Sequence, residues 1–241
     1  NRADVIGAAE GVSVVVHAAN PPGYRNWRGL AMPMLESSIA AAEAAGARIV
    51  LPGTVYNFAK DETVLTESTP QRPTTRKGKI RVAMEARLAE AARAGTRALV
   101  VRAGDFFGAH GRNSWFAQGL VKPGKRVASV TYPGKRDVGH AWAYLPDLAE
   151  TIARLLDRER DLARFDVFHF RGHWFDRGVA IAEATREAAG APRAPIRWFP
   201  WFAIFFLAPF VETFREMLEM RYLWRVAARL DNAKLVAFLG E

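Results

Sequence analysis

The 241-residue sequence predicts an α/β fold, a parallel sheet covered by helices and joined to a smaller, mostly helical lobe. Three observations predict it. Short apolar runs rich in Val and Leu recur with helical segments of about 15 to 20 residues between them. Those runs are continuous, not alternating, which suits strands buried on both faces of a parallel sheet. Beyond Gly108 the order changes to loops, aromatic residues and further helices, which suits an appended lobe.

The elements follow in order. Residues 3–10 read as a helix. Gly11-Val12-Ser13-Val14-Val15-Val16-His17-Ala18-Ala19 reads as a buried strand stopped by Asn20-Pro21-Pro22-Gly23. An Ala-rich segment over 27–45 reads as a helix, with Pro33 in or near its first turn or kinking it and Gly46 closing it. Strands are expected at 47–51 and 98–102, with a helix over 79–94 between them that Gly95 ends. Downstream, the pattern predicts a strand at 127–132, a helix at 147–157, a strand at 165–170 and a helix at 179–189. The implied division assigns 1–108 and 138–170 to the sheet domain and 109–137 and 171–241 to the lobe.

Composition narrows the function classes. A chain of this length, 50% hydrophobic, can bury one full core with a smaller lobe attached. It has no cysteine, which removes disulfides, thiolate metal sites and thiol nucleophiles and makes a reducing cytoplasm the default expectation. The first residue is Asn1 and no signal-peptide pattern follows, so the chain reads as cut at its N-terminus. The net charge of +9 is spread among acidic residues, and only Arg76-Lys77-Gly78-Lys79-Ile80-Arg81 is dense. A basic solvated surface is therefore expected, with no nucleic-acid partner. The dense cluster can instead face a phosphate-bearing cofactor.

From Trp198 to Val211 the chain carries fourteen residues without a charge, among them Pro200 and Pro209. A spanning helix needs roughly 20 apolar residues, so a transmembrane segment is not expected. Two alternatives stand: a buried lobe helix lining the substrate pocket, or an exposed aromatic surface meeting a membrane or a partner. The first is the expectation here, with no membrane partner.

The segment Lys77-Gly78-Lys79-Ile80-Arg81, followed by Glu85, resembles the Tyr-Gly-x-Ser-Lys helix of the extended short-chain dehydrogenase/reductases, the NAD-dependent epimerase/dehydratase family. Gly78 and Glu85 match that pattern, while Lys77 takes the tyrosine position and Arg81 the lysine position. Val14-Val15-Val16-His17-Ala18-Ala19 is similar to the family's strand end along the cofactor, and Thr54-Val55-Tyr56 to the turn after the next strand. Arg102-Ala103-Gly104-Asp105-Phe106-Phe107-Gly108 resembles the segment that passes the nicotinamide. Ala143 to Ala149 and Leu230 to Leu235 resemble later family segments.

The resemblance implies a doubly wound, Rossmann-like sheet and NAD or NADP as cofactor. The Gly-rich pyrophosphate turn is not in this sequence, so in the family frame roughly the first two βα units lie upstream of Asn1, and the fragment exposes a sheet edge. The implied cofactor-binding residues are His17, Ala18, Ala19, Asn20, Arg81, Gly104, Asp105 and Phe106. The implied catalytic residues are Thr54, Tyr56, Lys77 and Arg81, with Pro52 where the family has Ser or Thr.

The family's lysine lowers the tyrosine pKa so that the phenol can exchange a proton as hydride moves. Arg81 can still hold a ribose but cannot act as an acid at neutral pH. Lys77 is either an acid with a pKa lowered by burial or an exposed surface lysine. Tyr56 either takes part in proton transfer or packs against the next loop. Substrate contacts are expected from His110, Asn113, His140 and Tyr144, with Arg112 in the same loop.

His169 and His173, on a strand and beyond Gly172, do not suggest a metal site, and no Gly-x-Ser-x-Gly elbow suggests a hydrolase. The expected function is an NAD(P)-dependent oxidoreductase or epimerase-like protein with an altered acid/base pair, acting on a small carbonyl, sugar or lipid-like substrate. The alternatives are a non-catalytic dinucleotide-binding sensor or interaction protein and a membrane-surface protein. A homodimer is one expected assembly.

Overall fold

A computed structural model describes residues 1–21, 25–109, 111 and 114–240. The expected substrate residues His110 and Asn113, with Arg112, lie outside the described residues. The chain opens with α1 (Arg2–Ala8), which starts on a reciprocal cap between Asn1 and Asp4. It continues through β1 (Val14–Val16), α2 (Trp27–Ala45), β2 (Arg48–Gly53), β3 (Val64–Leu65), α3 (Arg76–Arg93) and β4 (Arg97–Arg102). Next come β5 (Asp105–Phe107), a π-helical turn (Phe116–Leu120), β6 (Val130–Tyr132), β7 (His140–Tyr144), α4 (Leu145–Asp157), β8 (Phe165–His169) and β9 (His173–Phe175). The rest is α5 (Ala180–Ala188), β10 (Ile196–Trp198), α6 (Trp201–Leu207), α7 (Glu212–Met220), a 3-10 turn (Arg221–Trp224), β11 (Arg229–Leu230) and α8 (Ala233–Leu239).

The principal sheet runs β1-β2-β4-β8, parallel throughout, with Val15 opposite Ile49, Val50 opposite Leu99 and Val100 opposite Val167. Side chains alternate between its two faces, and both faces are covered. Ile49, Leu51, Ala98 and Val100 pack against Leu35 and Ile39 of α2 and Met84 and Leu88 of α3. Val50, Leu99, Val101 and Phe168 face the other way, onto Leu148 and Leu155 of α4 and Leu235 of α8. The two-part division assigned Leu235 to the lobe, yet it closes the sheet's second face. This is a doubly wound α/β fold. β1 stands at the sheet's edge, where Val16 is 51% exposed.

Three small sheets build the rest. β5-β7-β9 joins parallel β5 and β7 to antiparallel β9, β6 pairs with β10, and β3 pairs with β11. Their aromatic core holds Trp142, Trp201, Trp224 and Tyr132. The loop-rich stretch expected after Gly108 contains the π-helical turn, and the strand expected at 127–132 spans only Val130–Tyr132. The helix expected to begin near residue 79 begins at Arg76, because the Thr75 hydroxyl accepts from the Gly78 N–H and caps it.

The run from Trp198 to Val211 divides by face, which corrects the expectation of a packed segment. Trp201, Ile204 and Ala208 are buried, whereas Trp198, Phe202, Phe205, Phe206, Leu207, Phe210 and Val211 are exposed. Among the described residues no helix is long and apolar enough to cross a membrane.

Candidate functional site

The carboxyl ends of β1, β2 and β4 bring together most of the expected cofactor and catalytic residues, the edge where open α/β sheets bind ligands. Gly78 sits where a Cβ would overlap the backbone oxygen of Tyr56, so the first turn of α3 presses directly on the loop after β2. Lys77, Arg81 and Glu85 follow at four-residue spacing and share one buried stripe of α3.

Lys77 is 1% exposed. Its Nζ bonds Glu216 of α7 and lies 3.4 Å from Glu219 Oε2, with the Trp27 ring centroid 6.0 Å away. The surface-lysine alternative is therefore corrected: two carboxylates supply the counter-charge that lets an ammonium stay buried. Burial lowers the Lys77 pKa, opposed by the charge and hydrogen bond of Glu219. The same helix α7 grips its neighbours, since Glu219 accepts from the Arg76 N–H and Glu212 accepts from the Asn26 N–H at 2.9 Å.

Arg81 lies one turn further. Its Nη2 donates to Asn20 Oδ1 at 3.0 Å, and its guanidinium stacks over Trp27 at 5.1 Å. His17 is buried beside it. Its Nδ1 is 2.8 Å from Ser38 Oγ, whose hydroxyl also lies 3.3 Å from Met34 O. Burial, reinforced by the Arg81 charge, lowers the His17 pKa to about 4, which keeps the ring neutral. His17 Nε2 and Arg81 Nε are both buried and without a hydrogen-bond partner among the described residues. Ala18, Ala19 and Asn20 are exposed at the strand end.

The other expected residues are committed elsewhere. Thr54 Oγ1 donates to Asn57 Oδ1 at 2.9 Å, and Asn57 Nδ2 donates onward to Glu85 and Gln71. Glu85 is paired with the buried Arg102, whose Nη1 donates to His169 Nε2 at 3.1 Å. His169 Nδ1 donates to Leu65 O at 3.0 Å, and burial, with Arg102 next, lowers its pKa to about 4. Tyr56 packs against the core of α2 and α3. His173 is exposed on β9, its ring 5.6 Å from that of Phe107.

β5 alternates across its sheet: Phe106 joins the core under α4, while Phe107 joins the aromatic core. A Cβ on Gly104 would overlap Ala141 O, so this residue is held against β7. Asp105 Oδ2 accepts from His140 Nε2 at 2.7 Å, and the His140 ring stacks on Trp224 with centroids 4.3 Å apart. Thus the expected cofactor residue Asp105 and the expected substrate residue His140 form one dyad. Tyr144, on the same strand, is partly exposed, with its ring 5.2 Å from that of Phe107.

Residues 2–169 match the family model described as the NAD dependent epimerase/dehydratase family. The chain belongs to that family. Its fold is similar to UDP-glucose-4-epimerase from Stenotrophomonas maltophila with bound NAD and formylated UDP-arabinopyranose, at 16% identity and a TM-score of 0.72, covering 100% of this chain and 74% of that one. UDP-N-acetylglucosamine 4-epimerase from Bacillus cereus aligns at 15% identity and a TM-score of 0.70, over 100% and 76% of the two chains. MoeE5 in complex with UDP-glucuronic acid and NAD aligns at 16% identity and a TM-score of 0.71, over 98% and 76%. These identities carry the fold alone. No curated protein sequence matches the chain.

Within this epimerase/dehydratase fold, sequence reasoning missed what Glu216, Glu219, Asn57, Gln71 and Arg102 do. The four-residue spacing of Lys77, Arg81 and Glu85 was a usable signal for a polar stripe facing inward. Nothing local announced Glu216 or Glu219, which lie 139 and 142 residues from Lys77.

Proposed function

We propose that this chain is an NAD(P)-linked oxidoreductase or epimerase-like protein for a small carbonyl, sugar or lipid-like compound, with an altered acid/base pair. One observation carries the reading: Arg81 bridges from α3 to Asn20 in the segment after β1, and its own Nε and His17 Nε2 are buried without a hydrogen-bond partner among the described residues. Arg81 Nε is a donor and His17 Nε2 a ring nitrogen that can donate or accept according to its tautomer, and a ribose hydroxyl can pair with either. The NAD held by MoeE5 and by the S. maltophila epimerase, and the UDP-sugar compounds beside it, support a dinucleotide cofactor and a sugar-nucleotide-like substrate.

The residues present fit the nicotinamide-ribose end of the cofactor: His17, Asn20 and Arg81 would hold it. When bound, the nicotinamide supplies or accepts the hydride. Around it, Arg81 orients and carries fixed positive charge, and neutral His17 offers a ring nitrogen for a hydrogen bond. Lys77 can release a proton only after leaving Glu216, so proton delivery falls to Lys77 set free from α7, or to Thr54, Tyr56 or water.

A second reading is dinucleotide binding without turnover. It is favoured by the engagement of Lys77 with Glu216 and Glu219 and of Thr54 with Asn57. Titration calorimetry with NAD, NADP, nicotinamide mononucleotide and AMP, paired with carbonyl reduction across a substrate panel, separates the two. Turnover lost in Lys77→Ala with mononucleotide affinity kept supports the enzyme reading. Binding that needs Arg81 in a protein without turnover supports the second, and binding of none of these compounds sinks both.

A further inference from the structure

The exposed side of α6 is not explained by the fold or by the site. Phe202, Phe205 and Phe206, spaced as one helical face, are 72%, 63% and 71% exposed, and Trp198 and Phe210, which flank the helix in sequence, are 68% and 85% exposed. Trp201 and Ile204 anchor the opposite face in the aromatic core, and the Trp201 Nε1 donates to Pro133 O at 2.7 Å. The helix is therefore held in place by one side while presenting large aromatic side chains on the other. A contiguous patch of this kind marks an interaction surface.

Its surroundings select the partner. Arg197 is exposed next to Trp198, and the Arg136 guanidinium lies 5.7 Å from the centre of the Trp198 ring. At the other end the exposed Arg215 donates from Nη1 to Pro209 O at 3.4 Å. Glu216 and Glu219 of α7 are paired with Arg76 and Lys77, while two carboxylates near the face are exposed, Asp137 beside Arg136 and Glu212, which accepts from the Asn26 N–H. An aromatic face carried between arginines on a chain of net charge +9 complements an anionic lipid surface, with rings at the acyl boundary and guanidinium groups among the headgroups. A seven-residue helix is only about 10 Å long, so it can lie in the interface and cannot span it.

We propose that Trp198, Phe202, Phe205, Phe206 and Phe210 form a docking face for an anionic membrane surface, on which the protein lies with α6 parallel to the bilayer. The full chain is to be mixed with vesicles of equal parts phosphatidylcholine and phosphatidylglycerol, and with pure phosphatidylcholine vesicles, then sedimented. Binding is expected to the anionic vesicles, weakened by salt. Phe202→Ser with Phe206→Ser should lower the partition coefficient by at least about tenfold, since each ring withdraws a large apolar area from water. Arg136→Glu with Arg197→Glu should weaken binding to anionic vesicles by about tenfold or more and leave pure phosphatidylcholine unaffected. Both double variants alter exposed residues, and unchanged thermal midpoints would show that the fold is kept. Brominated lipids should quench fluorescence in wild type and less in Trp198→Phe.

Absence of sedimentation with anionic vesicles would overturn the proposal. So would equal sedimentation of wild type and the phenylalanine double variant. If ultracentrifugation instead finds wild type self-associated and that variant monomeric, with no vesicle binding, the face meets a second copy of the chain and the membrane assignment fails.

Discussion

Arg81 Nη2 donates to Asn20 Oδ1 at 3.0 Å, joining α3 to the segment that follows the edge strand β1 across 61 residues of sequence. The bond fixes one guanidinium nitrogen at the strand end, and Nε has no hydrogen-bond partner among the described residues.

Binding of nicotinamide mononucleotide should therefore depend on Arg81 more than on Lys77. Arg81→Ala removes a charged donor, worth about 1.5–3 kcal/mol when matched to a ligand, so affinity should fall by at least about tenfold. Lys77→Ala should change it by less than about threefold. Calorimetry on the three proteins checks this.

Acid should destabilise the protein through two histidines. His17 and His169 both have folded pKa values near 4 against an ordinary 6.5, so between these limits the unfolded chain takes up protons that the folded chain refuses. Their stabilising effect is complete above pH 6.5 and is lost as pH falls towards 4, by up to roughly 3 kcal/mol for each. Urea unfolding of wild type and His169→Gln across this window should show a shallower pH slope in the variant, whatever its stability at neutral pH.

The Glu85–Arg102 pair should dominate the mutational cost of the polar network. Both side chains are buried, and Glu85→Ala leaves a guanidinium without its counter-ion, a loss of about 3–5 kcal/mol. Arg72→Ala removes an exposed partner of Glu62 and should cost under about 1 kcal/mol. Denaturant midpoints of the two variants supply the comparison.

Two glycines should respond to alanine with opposite signs. Gly7 lies inside α1 with open space where a Cβ would go, so Gly7→Ala should stabilise by about 0.5–1 kcal/mol. At Gly78 the added atom meets the Tyr56 backbone, and Gly78→Ala should destabilise by roughly 1–3 kcal/mol. Thermal melts of the two variants test both signs.

The parallel sheet was legible because Ile49, Val50 and Leu51, with Ala98 to Val101, are apolar without interruption, the signature of a strand covered on both sides. The long helices were legible through Gly46 and Gly95 at their ends. β5 and β9 were not, since three residues hold no period. Near the site, the family frame pointed to Arg81 and the strand end, but the fate of Lys77 depends on carboxylates from another helix far along the chain. At Trp198 to Val211 composition announced apolarity without saying which side of the helix would be covered. That depends on the packing of Trp201 and Ile204 in the aromatic core.

The grip of α7 on α3 changes how the lysine in the tyrosine position is to be understood. Replacing Lys77 by tyrosine alone would leave Glu216 and Glu219 facing a phenol, with the exposed Arg76 as their remaining cation. Lys77 is one part of a charge cluster distributed over two helices, and removing it alone leaves two carboxylates sharing Arg76. An engineer who introduces a phenol at position 77 has therefore to design α7 together with α3.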